Sequence, residues 1–474
     1  MFRRRVRGPA GDRCAVGRST VFRGRNDWSS ADASTMVANM AARPVVAILT
    51  LGCKLNLADS EEIARSLQAA GFATVDHVCE AEAFVVNTCS VTHVADAKSR
   101  RLVRSVRRLA PGARVAVTGC FPQSTGEAAA FALGADFVVG TRDADKAALV
   151  EFLSANLPSR DATQPAPATK TTRPVGSAHA RAFVKAQEGC NDVCAFCIVP
   201  QTRGREESRT VVRVVAEVQA AVESGAREVV VTGTQLGAWG RDLAEPQKPH
   251  QLIARILEQT DVVRLRFSSL QPQDISPELL ALWEDPRLMP HFHLALQSGS
   301  DSVLQRMRRR YSAHAFLLAA ERIRAVSPDA AITTDVIAGF PGETGEQFEE
   351  TLKLCREVGF ARIHCFPYSP RTRTAAARMP NRVSAEVASE RMGRLTALND
   401  ELSAGFRSRF LGTVRSVLWE TERQSDDGPQ WFGHTDNYIG VYSMGHALRN
   451  RLTPTLLNGL YHGGMTGACP PEES

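Results

Sequence analysis

Residues 190–197 read Cys190-Asn191-Asp192-Val193-Cys194-Ala195-Phe196-Cys197 and place three cysteines within eight positions. Thiolates at spacings of four and three residues can bind three irons of a cubane iron–sulfur cluster from one short loop. The fourth iron then has no protein ligand, and an open coordination position distinguishes a reactive metal site from a structural one. A structural zinc site is the alternative, although zinc ligands usually come as CxxC pairs.

The bulk composition excludes several classes of protein. The 474 residues are 43% hydrophobic and 23% charged, and no apolar run approaches the ~18 residues that span a bilayer. The N-terminus lacks the apolar core of a secretion signal. The eleven cysteines therefore favour metal ligation in a reducing compartment over a disulfide framework, and we predict a cytoplasmic protein with no membrane partner.

The net charge of +6 is not evidence for a nucleic-acid partner, because it comes entirely from residues 1–43. That segment holds nine arginines against three acids, and the remaining chain is neutral. It is a basic disordered arm, a transit-peptide-like leader or an extension from a misplaced start codon. We favour the last and exclude the segment from the fold prediction.

Residues 44–153 alternate short apolar runs with helical patterns, which predicts a parallel α/β sheet. The first helix is expected from about Asp59, with Asp59 and Glu62 at capping-box spacing. Cys53, Cys89 and Cys120 each follow the end of a separate predicted strand. Because such ends converge on one crevice, the three cysteines can meet around a second metal centre. Taken singly, each is more simply a small buried residue.

Residues 154–178 are rich in Pro, Ala, Thr and Ser and are predicted to be a linker. Residues 179–405 hold six strand-like runs separated by helices, which predicts a partial (β/α)6 barrel with its functional groups on the loops after the strands. The cysteine-rich loop follows the first of these strands. Polar or glycine-rich residues in the other loops form a predicted ring of ligand contacts: Gly233, Gln235, Ser268, Gln297 and Gly339. The tail, residues 406–474, has short strand runs between turns and predicts a small β-barrel.

A cluster with an open iron can chelate a small molecule through amino and carboxylate groups and pass it one electron. S-adenosylmethionine (SAM) suits this role, because reduction of its sulfonium releases a 5′-deoxyadenosyl radical. The CxxxCxxC motif and the domain order resemble the radical-SAM methylthiotransferases over residues 44–472, with a C-terminal TRAM domain.

The resemblance implies two [4Fe–4S] clusters. The radical-SAM cluster is then held by Cys190, Cys194 and Cys197, and the auxiliary cluster by Cys53, Cys89 and Cys120. It also implies SAM on the ring Gly233, Gln235, Ser268, Gln297 and Gly339, and a reduced flavodoxin- or ferredoxin-like electron donor. One SAM methylates a sulfur at the auxiliary cluster, and a second generates the radical that activates a C–H bond.

Residues 50–56, 232–237, 306–311 and 433–438 most resemble the branch that acts on N6-threonylcarbamoyladenosine next to the anticodon of tRNA, with C2 as the modified carbon. Two sister branches remain open: isopentenyladenosine in tRNA, and an aspartate of ribosomal protein S12, to which residues 56–61 have some similarity. A non-catalytic iron–sulfur RNA-binding protein is the alternative of a different class.

Any RNA contact must come from local patches, and no DNA partner is predicted. Residues 97–114 contain seven basic side chains and no acid, counting Lys98, and Arg306 with Arg308–Arg310 forms a second group. Such groups are more often solvated surface. In the near-neutral tail, RNA binding would depend on the placement of Arg415, Arg449, Arg451 and Tyr438.

Overall fold

The computed structural model describes residues 43–157, 180–425, 428–444 and 447–469. The predicted leader, apart from Arg43, and residues 158–178 of the predicted linker lie outside the described residues. Within the described ranges, no helix is long and apolar enough to cross a membrane.

The N-terminal unit is a five-stranded parallel sheet in the order β2-β1-β3-β4-β5, which confirms the predicted parallel α/β fold. Its strands are β1 Val45–Thr50, β2 Ala73–Val75, β3 Ala83–Thr88, β4 Arg114–Gly119 and β5 Phe137–Val138. Its helices are α1 Lys54–Ala69, α2 His93–Leu109, α3 Cys120–Thr125, α4 Glu127–Phe131 and α5 Asp143–Asn156. Hydrophobic clusters cover both faces, which explains why the strands are near-continuous apolar runs.

The first helix begins five residues before the predicted start. Cys53 occupies the extended N-cap position, and Lys54 is the first helical residue. The capping box expected at Asp59 and Glu62 is therefore wrong. Both carboxylates instead form tertiary ion pairs with Lys146, at 3.0 and 2.5 Å. Long-range charge pairing, which local spacing does not reveal, fixes their role.

The middle unit is a partial barrel of six parallel strands, which confirms the predicted fold class. The parallel strands are β6 Arg181–Glu188, β8 Glu228–Gly233, β9 Arg264–Phe267, β10 His291–His293, β11 Ala331–Ala338 and β12 Arg362–Pro367. A seventh strand, β7 Glu207–Ser208, comes between β6 and β8 in the chain. Strand β7 is a short antiparallel addition at the β6 edge. Isolated bridges such as Leu270 to Leu294 connect the β9 and β10 sides of the barrel.

Helices pack around the outside of this barrel. They are α6 Val199–Thr202, α7 Val211–Glu223, α8 Pro249–Gln259, α9 Pro277–Ala281, α10 Asp301–Arg306, α11 Ala313–Val326, α12 Gly345–Val358 and α13 Ala385–Ser408. Apolar strand residues such as Val229, Leu265 and Ile363 join the helices in one core. The alternate positions point inward, and many of these are charged or polar: Arg181, Lys185, Glu228, Arg264, Arg266, His291, His293, Asp335 and His364.

The C-terminal unit is a closed five-stranded barrel in the order β13-β14-β15-β17-β16, again as predicted. Its strands are β13 Val414–Ser425, β14 Gly428–Thr435, β15 Gly440–Met444, β16 Leu452–Tyr461 and β17 Gly464–Ala468. The sequence predicts a strand over Tyr438–Tyr442, but the strand begins only at Gly440. Tyr438 has a φ of 69°, in the left-handed region, and belongs to the turn before the strand.

The C-terminal barrel docks on the amino ends of the middle barrel's strands through buried charge. The carboxylate of Glu228, which is fully buried, lies 2.5 Å from Arg181 and 2.9 Å from Arg266. Arg264 approaches the same carboxylate at 3.3 Å. Arg266 also donates hydrogen bonds to the carbonyls of residues 435 and 436 in the C-terminal unit. One carboxylate therefore neutralises a group of guanidinium ions at the interface.

We predict that Glu228→Gln lowers the stability of the barrel by about 3–5 kcal/mol, because it leaves buried guanidinium groups without their counter-ion. The urea-unfolding midpoint of the full chain measures this loss. Glu258→Gln is the matched control, since it breaks an exposed ion pair with Arg255 and should cost less than about 1 kcal/mol. Equal midpoints for the two variants would contradict the prediction.

Candidate metal and cofactor site

The structure brings Cys53, Cys89 and Cys120 together at the carboxyl edge of the N-terminal sheet. Cys53 caps α1, Cys89 follows β3 and Cys120 begins α3 after β4. A Cβ atom placed on Gly52 would lie 2.8 Å from the Cβ of Cys89 and 3.0 Å from its Sγ. Burial raises the pKa of Cys89 to about 11, and the charges of Cys120 and Cys53 contribute to this rise.

Two asparagines that the sequence analysis did not single out hold this edge in shape. The Nδ2 of Asn56 donates to the carbonyls of Leu51 and Thr88, at 2.7 and 2.9 Å. The Nδ2 of Asn87 donates to the carbonyl of Asn56 at 2.9 Å. The ends of β1 and β3 are thereby tied to the first turn of α1, which carries Cys53.

The second triad lies on the loop after β6, at the carboxyl mouth of the middle barrel. The thiol of Cys190 donates to the Oε1 of Gln235 at 2.8 Å. The Nη1 of Arg309 donates to the Sγ of Cys194 at 3.2 Å. Burial raises the pKa of Cys190 to about 12 and that of Cys197 to about 11. Arg309, from the second basic group considered as an RNA contact, therefore contacts the cysteine site.

The cysteine triads are spaced too widely for a single zinc ion. Among the described residues, the one group of three potential ligand atoms that all lie within 4.8 Å of one another is His293, Asp335 and His364, so neither set of sulfurs meets that limit. Sulfurs that share one zinc lie about 3.8 Å apart, given Zn–S bonds of about 2.3 Å. The donor sets suit a polynuclear cluster, whose terminal ligands stand further apart.

Arg203 lies beside Cys120 of the first triad, a position that the sequence did not predict. It follows α6, six positions after Cys197, and its Nη2 donates to the Oδ1 of Asn56 at 2.6 Å. Burial raises the pKa of Cys120, while the charge and hydrogen bond of Arg203 oppose that rise. A single arginine in a polar stretch gives no signal of this role in the sequence.

The five predicted SAM contacts all lie at the mouth of the barrel. Gly233 ends β8, Ser268 follows β9 and Gly339 follows β11. Gln235 reaches Cys190, and its backbone N–H donates to Gln187 at 2.9 Å. The Oγ of Ser268 is buried and has no hydrogen-bond partner among the described residues, so it is free to bind a ligand.

The predicted RNA contacts of the C-terminal unit are partly used inside the protein. Arg415 is paired with Asp436 at 2.8 Å and with Asp329 at 2.7 Å. The Tyr438 ring stacks between His291 and His434, with centroid separations of 4.5 and 4.6 Å. Neither side chain is available on an open surface.

Comparison with known proteins agrees with this site. A family described as "Uncharacterized protein family UPF0004" matches residues 45–140, and the radical SAM superfamily matches residues 184–355. The threonylcarbamoyladenosine tRNA methylthiotransferase MtaB of Bacillus subtilis is 35% identical over 84% of this chain and 90% of its own length. This chain belongs to the radical-SAM tRNA methylthiotransferase family. A second relative of this methylthiotransferase, the tRNA-2-methylthio-N(6)-dimethylallyladenosine synthase of Thermobifida fusca, is 38% identical over 80% of this chain and 79% of its own.

The fold of this methylthiotransferase also has a solved counterpart. The radical SAM methyltransferase TsrM of Kitasatospora setae, with tryptophan and a SAM analogue bound, matches 68% of this chain and 73% of its own at a TM-score of 0.51 and 14% identity. Radical-SAM enzymes use a [4Fe–4S] cluster with SAM, and methylthiotransferases of this family carry two clusters. The cofactors predicted from the sequence are therefore confirmed.

We predict that Arg203→Met lowers the iron content of this methylthiotransferase from roughly eight per chain towards four, because the auxiliary triad loses its neighbouring cation. Iron analysis of the reconstituted protein measures the change. Arg205→Met, two residues away and exposed, should keep the full content. Full iron loading in the Arg203 variant would show that this arginine has only a structural role.

Proposed function

We propose that this methylthiotransferase inserts a methylthio group at C2 of N6-threonylcarbamoyladenosine beside the anticodon of tRNA. The observation that carries the proposal is the charged inner face of the barrel next to the auxiliary triad. Lys54 follows Cys53 directly, and burial together with the charges of Arg181 and Arg266 lowers the pKa of its ammonium to about 8. A polar, anionic N6 substituent suits such a surface, whereas an apolar one would desolvate its charges.

In this proposal Cys190, Cys194 and Cys197 bind the radical-generating cluster, and Cys53, Cys89 and Cys120 bind the auxiliary one. When bound, the clusters and SAM supply a 5′-deoxyadenosyl radical for hydrogen abstraction and a methylated sulfur for insertion. A reduced flavodoxin- or ferredoxin-like protein would provide the electrons. The Gln235 amide and the Arg309 guanidinium orient the thiolate loop, and Ser268 offers its free hydroxyl to SAM.

A second candidate substrate is isopentenyladenosine in tRNA. The Thermobifida fusca relative and one from Syntrophobacter fumaroxidans, 34% identical over 90% of this chain, are both named for dimethylallyladenosine. These names favour tRNA over ribosomal protein S12 but do not separate the two adenosines. The charged barrel interior favours the threonylcarbamoyl group.

Helix α2 offers a face for the tRNA phosphates. Arg100, Arg101, Arg104 and Arg108 line one shallow groove along this helix. Arg107 is instead committed to Asp136, at 2.6 Å. No ion pair neutralises the four groove arginines within the described part of the chain. Their positive charges are therefore available to the phosphates of a polyanionic partner. We therefore include these four arginines in the proposal as contacts to the tRNA backbone.

We predict that Cys194→Ala abolishes SAM cleavage, because the reactive cluster loses a thiolate. Cys89→Ala should retain some 5′-deoxyadenosine formation but make no methylthio product, because only the auxiliary site is damaged. Chromatography of 5′-deoxyadenosine and of RNA nucleosides measures both. Methylthiolation by the Cys89 variant would contradict the assignment of Cys89 to the auxiliary, sulfur-supplying cluster. Wild-type protein that forms no 5′-deoxyadenosine would refute the enzyme proposal.

The substrate branch is tested in cells. We predict that deletion of the gene removes 2-methylthio-N6-threonylcarbamoyladenosine from bulk tRNA and leaves the unmethylthiolated nucleoside in its place. Mass spectrometry of tRNA nucleosides measures both species. Loss of the methylthio derivative of isopentenyladenosine instead would assign the chain to the sister branch.

A further inference from the structure

One cation that faces the interior of the middle barrel has no direct ion-pair partner among the described residues. Lys54 is half-buried at the start of α1, and its ammonium lies 5.9 Å from the centre of the Tyr438 ring. Among the described residues, this ammonium forms no hydrogen bond and no ion pair within 4.0 Å. The first turn of α1 contains no acidic residue that could neutralise this charge. The positive end of the helix dipole also lies at this turn and adds to the positive potential around Lys54.

The neighbouring carboxylates are engaged elsewhere. Glu228 is surrounded by three arginines, and Glu420 pairs with Arg181 at 3.0 Å and with His434 at 2.5 Å. Asp335 lies 3.4 Å from the Nε2 of His293. Glu228 and Asp335 act on Lys54 only at a distance, without a direct ion pair. The Lys54 ammonium is therefore available to a ligand carboxylate.

Polar side chains stand beside this charge. The ligand atoms of His293, Asp335 and His364 all lie within 4.8 Å of one another, and all three residues are partly accessible. Two imidazoles and a carboxylate can bind a divalent cation. Here, however, Lys54 lies close enough to influence Asp335 and His364 electrostatically, and its charge would repel such an ion. The same groups can instead exchange hydrogen bonds with the N–H and hydroxyl groups of an organic ligand.

We propose that Lys54 binds the threonyl carboxylate of the modified adenosine and so selects this nucleoside, with Asp335 and His364 contacting the polar remainder of the N6 substituent. This inference rests on the proposed function and names its specificity-determining residue. The place of Lys54 in the chain supports it. C6, which carries the N6 substituent, and C2 flank the same ring nitrogen of adenine, so a group that holds this substituent must lie near the sulfur donor. Lys54 directly follows Cys53.

The same contact accounts for rejection of isopentenyladenosine. An apolar substituent would displace water from the Lys54 ammonium and return no hydrogen bond. Sites built to pair with a polar group discriminate strongly against analogues that lack it, because the protein group is then left buried and unpaired. Lys54 therefore contributes affinity for one substrate and a penalty against the other.

The test compares two anticodon stem-loop RNAs, one with N6-threonylcarbamoyladenosine and one with the same nucleoside as its uncharged carboxamide. We expect the reconstituted wild-type enzyme to prefer the acid in kcat/KM by at least tenfold. In Lys54→Met this ratio should fall to within about twofold of one. Lys54→Arg should restore part of the preference, and Lys353→Met, which removes an exposed lysine on α12, should leave the ratio unchanged.

The outcomes separate this inference from the proposed function. Product from the acid RNA with an unchanged ratio in Lys54→Met overturns the inference alone. Equal losses on both RNAs, with the ratio kept, also overturn it, because they assign Lys54 to the auxiliary site. Stoichiometric binding of zinc, added alone to the demetallated protein and lost in His364→Ala, would favour a metal site and overturn it as well. A wild-type enzyme that modifies only isopentenyladenosine RNA refutes both proposals.

Discussion

The relative position of the two thiol triads depends on a buried ionic network between α1 and the first strand of the barrel. Lys185 and Arg203 each contact both Asp59 and Glu188, at distances of 2.6–2.9 Å. Removing one member of such a group is strongly destabilising, whereas its net contribution to stability is small, because all four charges have lost their water. We infer that the network contributes to conformational specificity, because its four charges are all paired in only one docking geometry of the N-terminal unit on the barrel.

That geometry explains the polar character of the barrel interior. An apolar barrel centre would be more stable, since charges inside a protein cost solvation energy. Here α1 enters beside β6 and brings Cys53 and Lys54 towards the inward-facing side chains. The base is closed by Tyr438, whose ring contacts the guanidinium of Arg266 at 4.8 Å. The barrel interior is thus lined by charged side chains, with Tyr438 at its base and the thiols of the CxxxCxxC loop at its mouth.

The sequence analysis was most successful where chemistry depends on local spacing or on strand order. The CxxxCxxC loop and the three cysteines at strand ends are found where expected, because parallel strands must share one carboxyl edge. It failed where a side chain has a choice of partners. Asp59 was expected to cap a helix but pairs with lysines and Arg203. Arg309, from a basic group predicted to be an RNA contact or solvated surface, donates to Cys194. Each of these side chains pairs with residues that are distant in the sequence.

The sequence by itself determined the order of the three units, the parallel character of the first two and the cysteine donors of both proposed clusters. Hydrophobic periodicity and cysteine spacing are properties of the chain that need no knowledge of contacts. Only the tertiary structure decided that Arg203 lies beside the auxiliary triad, that Tyr438 lies at the base of the barrel and that Lys54 has no direct ion-pair partner in the described part of the chain. These facts are relations between segments that are often more than a hundred residues apart. The electrostatic environment of a side chain is set by such neighbours, and a single sequence does not specify them.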